Sequence, residues 1–129
     1  MAKFSELKDK RVMVTGAASG IGLATAQRFT AEGAKVFIID CNKEALSKVM
    51  DENPSFAGSG ICDVSSEEDV IAVFEKMDNE LGGIDVLVSN AGISIRKDFV
   101  DITYEQWQKV IDINLNGMFL CSREAARRM

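Results

Sequence analysis

Histidine is absent from all 129 residues. That removes Ser-His-Asp and Cys-His nucleophilic catalysis and every histidine-ligated metal, so chemistry here needs other side chains or a cofactor. Cysteine is sparse. Cys41, Cys62 and Cys121 are odd in number, far apart and form no C-x-x-C. This argues against a disulfide framework or zinc site and fits free thiols in a reducing compartment. Long apolar runs are missing, so no segment reaches membrane-spanning length. The start, M-A-K-F-S-E-L-K-D-K, lacks the apolar centre of a signal peptide, which makes the cytoplasm the expected location. Runs of lysine and arginine are missing as well, and the net charge is −5. Nucleic acid is therefore not an expected partner.

What is present is an ordinary globular balance, 47% hydrophobic and 27% charged, in a chain long enough for one domain with a real core. We find no internal repeat, low-complexity tract or linker. The whole chain, residues 1–129, reads as one domain organised around V-M-V-T-G-A-A-S-G-I-G at Val12 to Gly22. The apolar start suits a strand buried on both faces. Gly16, Gly20 and Gly22 then punctuate a turn, and an alanine-rich helical stretch begins. Strand, glycine turn and helix start form an anion site, because the first helical N–H groups have no carbonyl upstream and point at the ligand.

Strands are expected at Arg11–Thr15, Lys35–Ile39, within Phe56–Cys62, and at Ile84–Ser89. The last is apolar enough for burial on both faces. Helices are expected over Gly20–Glu32, with Ile21, Thr25 and Phe29 sharing a face, and over Asn42–Met50. The latter carries Leu46, Val49 and Met50 inward and pairs Glu44 with Lys48. Ser65-Ser66-Glu67-Glu68 is a capping box with Ser65 as the cap. It opens a helix whose buried face is Val70, Val73, Phe74, Met77 and Leu81. Thr103 to Gln106 is a second capping box. Trp107, Val110, Ile111 and Asn114 share the stripe that follows, and a helical pattern continues to Met129. Strands alternating with helices, without tight hairpins, make this an α/β chain: a doubly wound parallel sheet with helices on both faces.

Four strand ends then describe one rim: Thr15/Gly16, Asp40, Asp63 and Asn90. In open parallel sheets ligands bind beyond the carboxyl ends of the strands. Asp40 follows the turn at roughly the 20-residue offset of a ribose-binding acid. A carboxylate there accepts from both ribose hydroxyls and repels a 2′-phosphate, which favours NAD over NADP. Its alternative role is to cap the next helix. Asp63 suits an adenine amino group or, again, a cap. Asn114 has two equal readings: an amide that stabilises a kink between helices, or one that faces the cleft.

T-G-A-A-S-G-I-G at Thr15 to Gly22 resembles the T-G-x-x-x-G-x-G fingerprint of short-chain dehydrogenases/reductases. Asp40, Asp63-Val64, S-N-A-G at Ser89 to Gly92 and I-N-L-N-G at Ile113 to Gly117 match the same family in order and spacing. Ser89 departs from it, since the family usually has a second Asn there. The resemblance implies a Rossmann-like sheet in strand order 3-2-1-4. It also implies an NAD site made by Thr15, Gly16, Ser19, Gly20, Ile21, Gly22, Asp40, Asp63, Val64, Asn90, Ala91 and Gly92, and hydride transfer between an alcohol and a ketone. It gives Asn114 a catalytic part, holding a water in a proton relay.

The family's acid/base is a Tyr-x-x-x-Lys pair with a Ser upstream. Tyr104 is the one tyrosine here, before Asn114 and with Gln108 where the lysine belongs. Family members carry the Ser, Tyr and Lys on the strand and helix that follow the position of Met129. The chain thus reads as the N-terminal, cofactor-binding portion of an NAD-dependent oxidoreductase. Rival readings are a nucleotide-binding module without turnover, an association-prone structural piece, and part of a 3-oxoacyl thioester reductase. Arg96 and Lys97 beside the cleft lean toward a polar substrate such as a sugar or polyol. The resemblance further implies a dimer or tetramer built through the helix at Asn114 and the next one.

Overall fold

A computed structural model describes residues 3–129. Four strands, β1 (Arg11–Thr15), β2 (Lys35–Asp40), β3 (Gly58–Ile61) and β4 (Val86–Val88), form one sheet in the order β3-β2-β1-β4. Every neighbouring pair is parallel; Val12, Met13 and Val14 of β1 lie opposite Val36, Phe37 and Ile38 on one side and Val86, Leu87 and Val88 on the other. The helices are α1 (Gly20–Ala31), α2 (Lys43–Glu52), α3 (Glu67–Leu81), α4 (Tyr104–Ile111) and α5 (Gly117–Arg128). A π turn, Asp112–Asn116, joins α4 to α5 without a break, where the sequence pattern suggests two helices.

Alternation along the strands builds two cores. Met13, Phe37 and Ile39 face α3 and α5 and pack with Val73, Phe74, Met77 and Cys121. Val12, Val14, Val36 and Ile38 face α1 and α2 and pack with Ala26, Leu46 and Val49. β1 and β2 are buried on both sides, as a doubly wound sheet requires. The expected face of α3 is the observed one.

Several details differ from the sequence reading. β4 is only half-buried: Leu87 packs against one core and Val86 and Val88 against the other, but as the edge strand it has a neighbour, β1, on one side only. α1 turns Gly22 and Ala26 inward and leaves Ile21 80% exposed. The small residues let the helix lie close to the sheet, and Ile21 falls on the opposite side. Lys48 pairs with Glu52, one turn later, instead of Glu44. Ser66, not Ser65, caps α3 by accepting from the Asp69 N–H. The Thr103–Gln106 capping box forms with both its bonds.

The amino ends of the strands are closed by charge. Arg11 donates through Nε and a terminal nitrogen to both oxygens of Asp85, at 2.9 Å each, and to the Gly82 carbonyl at 2.8 Å. The Asp85 carboxylate also accepts from the Arg11 N–H. These bonds from Arg11 hold its carboxyl well below the usual carboxylate range. Glu32 is buried at the end of α1; it accepts from the Phe4 N–H and from Arg28, so its carboxyl is held down as well.

Candidate functional site

The carboxyl ends of the strands open onto a cleft of about 420 Å³, bounded by the glycine turn, Asp40, Asp63-Val64 and the Asn90–Ile93 segment. All four strand ends picked out in the sequence meet here. Thr15, the last residue of β1, is fully buried. Its hydroxyl accepts from the N–H groups of Asn90 and Ala91, both at 2.9 Å. The Asn90 amide returns the contact, donating to the carbonyls of Thr15 and Gly16 at 3.0 and 3.2 Å. Thr15 and Asn90 therefore lock the glycine turn to the end of β4, and their polar atoms are largely spent on backbone.

Within the turn the Ala17 N–H donates to the Ile39 carbonyl and the Ala18 N–H to Asp40, while the N–H groups at the start of α1 stay open to the cleft. Gly16 and Gly20 have φ of +64° and +54°, a region L side chains seldom adopt. A Cβ on Gly20 would meet nothing within 4 Å, so the backbone there faces open space. A Cβ on Gly22 would lie 2.2 Å from the Gly16 carbonyl oxygen; only glycine lets the helix start nest in the turn. Ser19 enters α1 in extended geometry and its side chain does not cap the helix. The first-turn N–H groups therefore have neither a carbonyl nor a cap, the arrangement that receives an anion.

Asp40 ends β2 with its carboxylate held at two points. One oxygen accepts from the Ala18 N–H at 3.1 Å, the other from the Asn42 N–H at 3.0 Å. It is not the cap of α2, because Asn42 takes that place and accepts from Ala45. Asp63 is not a cap either. One of its oxygens accepts from the N–H and hydroxyl of Ser65 at 2.9 and 2.6 Å. A carboxylate can accept about four hydrogen bonds, so both groups keep acceptor capacity, and both line the cleft. Two thiols border the cleft: Cys41 is exposed and Cys62 is buried. Burial pushes the Cys62 thiol up to about 12 and Cys121 to about 11, so both stay protonated and inert.

Asn114 differs from the sequence reading. It lies within the π turn and is exposed, not buried on an apolar stripe; its neighbours Trp107 and Leu115 are 51% and 54% exposed. The π turn carries one extra residue per hydrogen-bonded ring; Ile113 within it still packs against the core, and Asn114 beside it does not. The Asn114 amide bonds twice to one residue, accepting from the Ile93 N–H and donating to the Ile93 carbonyl, both at 2.8 Å. Ile93 and Ala18 were not singled out in the sequence. Both act through backbone atoms, which leave no residue-type signal. Tyr104 stands 71% exposed at the start of α4, lining a separate groove with Asp63 and Lys109. Among the described residues no group of three or more His, Cys, Asp or Glu could hold a metal ion.

The family model for short chain dehydrogenases matches residues 10–129. The chain belongs to the short-chain dehydrogenase family. It is 39% identical over 133 residues to a 3beta-hydroxysteroid dehydrogenase of Mediterraneibacter gnavus, covering 100% of this chain and 47% of that protein. The crystal structure of a short chain dehydrogenase from Mycobacterium smegmatis superposes with a TM-score of 0.92 at 35% identity, over 99% of this chain and 55% of that one. A 3-ketoacyl-(acyl-carrier-protein) reductase from Brucella melitensis, complexed with NADH, gives 0.90 at 32% identity, over 95% and 51%. The chain spans about half the length of most of the curated relatives it matches. The Rossmann-like sheet in strand order 3-2-1-4 and the oxidoreductase family are thus both established. The cleft fits a nicotinamide cofactor of this family: the helix start beside its glycine turn offers uncapped N–H groups, and the Asp40 and Asp63 carboxylates line it.

Proposed function

We propose that this chain is the NAD-binding portion of an oxidoreductase that moves a hydride between an alcohol and a ketone. The observation that carries the reading is Asp40, a carboxylate at the end of β2 held by the Ala18 N–H beside the glycine turn. Thr15 and Gly16 shape the turn, and Ser19, Gly20, Ile21 and Gly22 offer N–H groups to the pyrophosphate. Asp40 accepts from the ribose hydroxyls and opposes a 2′-phosphate, so NADP binds less well. Asp63 and Val64 border the adenine, and Asn90, Ala91 and Gly92 border the inner ribose. When bound, the nicotinamide supplies the hydride acceptor or donor. Asn114 positions Ile93 at that end of the cleft and orders a water for proton transfer.

Tyr104 lies on α4, in a groove separate from the cleft and with Gln108 four residues on, so we do not assign it the proton transfer. We assign the Ser, Tyr and Lys to the half of the relatives that this chain does not span, and turnover to the longer assembly. In that assembly a small polar substrate, a sugar or polyol, approaches past Arg96 and Lys97; Lys97 already reaches Gln106 at 3.4 Å. A cytoplasmic homodimer or homotetramer follows from the same reading. A 3-oxoacyl thioester as substrate is the second reading, favoured by the likeness to the Brucella melitensis reductase with NADH.

The test is a fluorescence titration of the chain with NADH and NADPH. NADH binds saturably and more tightly, and Asp40→Ala removes at least tenfold of that preference. Equal loss for both nucleotides would reduce Asp40 to a turn residue and sink the NAD assignment.

A further inference from the structure

The amide of Asn114 meets Ile93 only because the helix changes pitch beneath it. In a regular α-helix each N–H reaches four residues back. Here the Gly117 N–H reaches five, to the Asp112 carbonyl. An isolated π turn is a rare, weakly held geometry and needs support from outside its backbone. Two supports are visible, one across the turn and one beneath its end. The Asn116 amide donates to the Asp112 carboxylate at 3.0 Å, spanning the turn from the side. Gly117 then lies against Val64. A Cβ there would stand 2.7 Å from the Val64 Cγ2 and 3.2 Å from its carbonyl oxygen. Beyond Gly117, Cys121 and Ala125 of α5 are buried in the core that holds α3. The far side of the turn therefore cannot slide by one residue to restore α pitch without unpacking that core.

We propose that Asp112, Asn116 and Gly117 are positioning residues that hold the π turn in the pitch at which Asn114 clamps Ile93. The proposal rests on the assignment of Asn114 and Ile93 to the reacting end of the cleft. Asp112 is bonded twice, through its carbonyl to the Gly117 N–H and through its carboxylate to Asn116. Gly117 sets the depth at which the turn meets Val64, which lines the same cleft as Ile93. The turn thus touches Val64 through Gly117 and Ile93 through Asn114, and it ties these two parts of the cleft wall together.

The test reads the clamp itself, with no nucleotide present. Amide exchange with water is measured by NMR on the 15N-labelled chain. In Asn116→Ala the Ile93 amide exchanges about twofold faster, the size of an exposed i,i+4 side-chain bond, while the amides of Val12 to Val14 keep their rates. The double swap Asp112→Asn with Asn116→Asp rebuilds a donor and acceptor across the turn and restores the Ile93 rate. Gly117→Ala raises it tenfold or more, and adding Val64→Ala, which removes the clashing methyl, brings much of the protection back. An unchanged Ile93 rate in both Asn116→Ala and Gly117→Ala would overturn the proposal. So would an equal rise at Val12 to Val14, or a swap that restores nothing. Should Gly117→Ala fail to fold, Asn116→Ala and its swap decide alone. Failure of NADH to bind would remove the cofactor reading and leave the exchange result standing.

Discussion

The two ends of this sheet are built from similar polar residues and end up in opposite states. At the amino ends, Arg11 and Asp85 saturate one another and the Gly82 carbonyl. At the carboxyl ends, Thr15 and Asn90 bond backbone, Asp40 and Asp63 are fixed by one or two N–H groups each, and the first turn of α1 has no cap. One end spends its charges on closing the fold. The other uses just enough bonds to hold its shape and leaves donors on one side and acceptors on the other. Under the proposed function that difference is the one a binding rim needs, with helix N–H groups and carboxylate oxygens open to a ligand at one end only.

The comparison breaks most visibly at Gly22. Gly22→Ala puts a methyl 2.2 Å from the Gly16 carbonyl oxygen. Relieving it distorts the turn, costs about 1–3 kcal/mol of stability and lowers NADH affinity more than tenfold, read by denaturant melts and nucleotide titration. Thr15→Val comes next. It keeps the buried shape of β1 but leaves two N–H groups without an acceptor, a loss of about 2 kcal/mol, and it loosens the Asn90 segment so that NADH affinity falls with stability. The smallest effect belongs to the closed end. Arg11→Ala lowers the melting temperature by a few degrees and leaves NADH affinity unchanged.

Acid sharpens the same contrast. The Asp85 carboxyl is held down in the folded chain, so its contribution is complete above the ordinary carboxylate range near pH 4 and is lost as pH falls below it. Arg11→Ala therefore flattens the acid limb of the stability profile. A limb as steep as in the unaltered chain would show that the clamp does not govern it.

Much of this was legible in the residues. Val12 to Val14 and Val36 to Ile39 are apolar runs that suit buried strands, and the α3 stripe runs at helical spacing from Val70 to Leu81. Asp40 and Asn90 stood out because polar residues ended apolar strands. What escaped was set by packing or by backbone. β3 is short and glycine-bearing because Val73 sits where a side chain on Gly60 would be. The cap of α3 moved from Ser65 to Ser66 because Asp63 captures the Ser65 hydroxyl. The π turn has no composition signal, and Asn114 within it bonds the Ile93 backbone instead of entering a core.

If the carboxyl end of the sheet holds NAD while the amino end is closed, as proposed, NADH titrated into the 15N-labelled chain produces saturable shifts at the amides of Ala18, Gly20, Ile21 and Gly22 and leaves Arg11, Gly82 and Asp85 unmoved. No saturable shift up to millimolar NADH, or shifts centred on Arg11 and Asp85, would refute the placement.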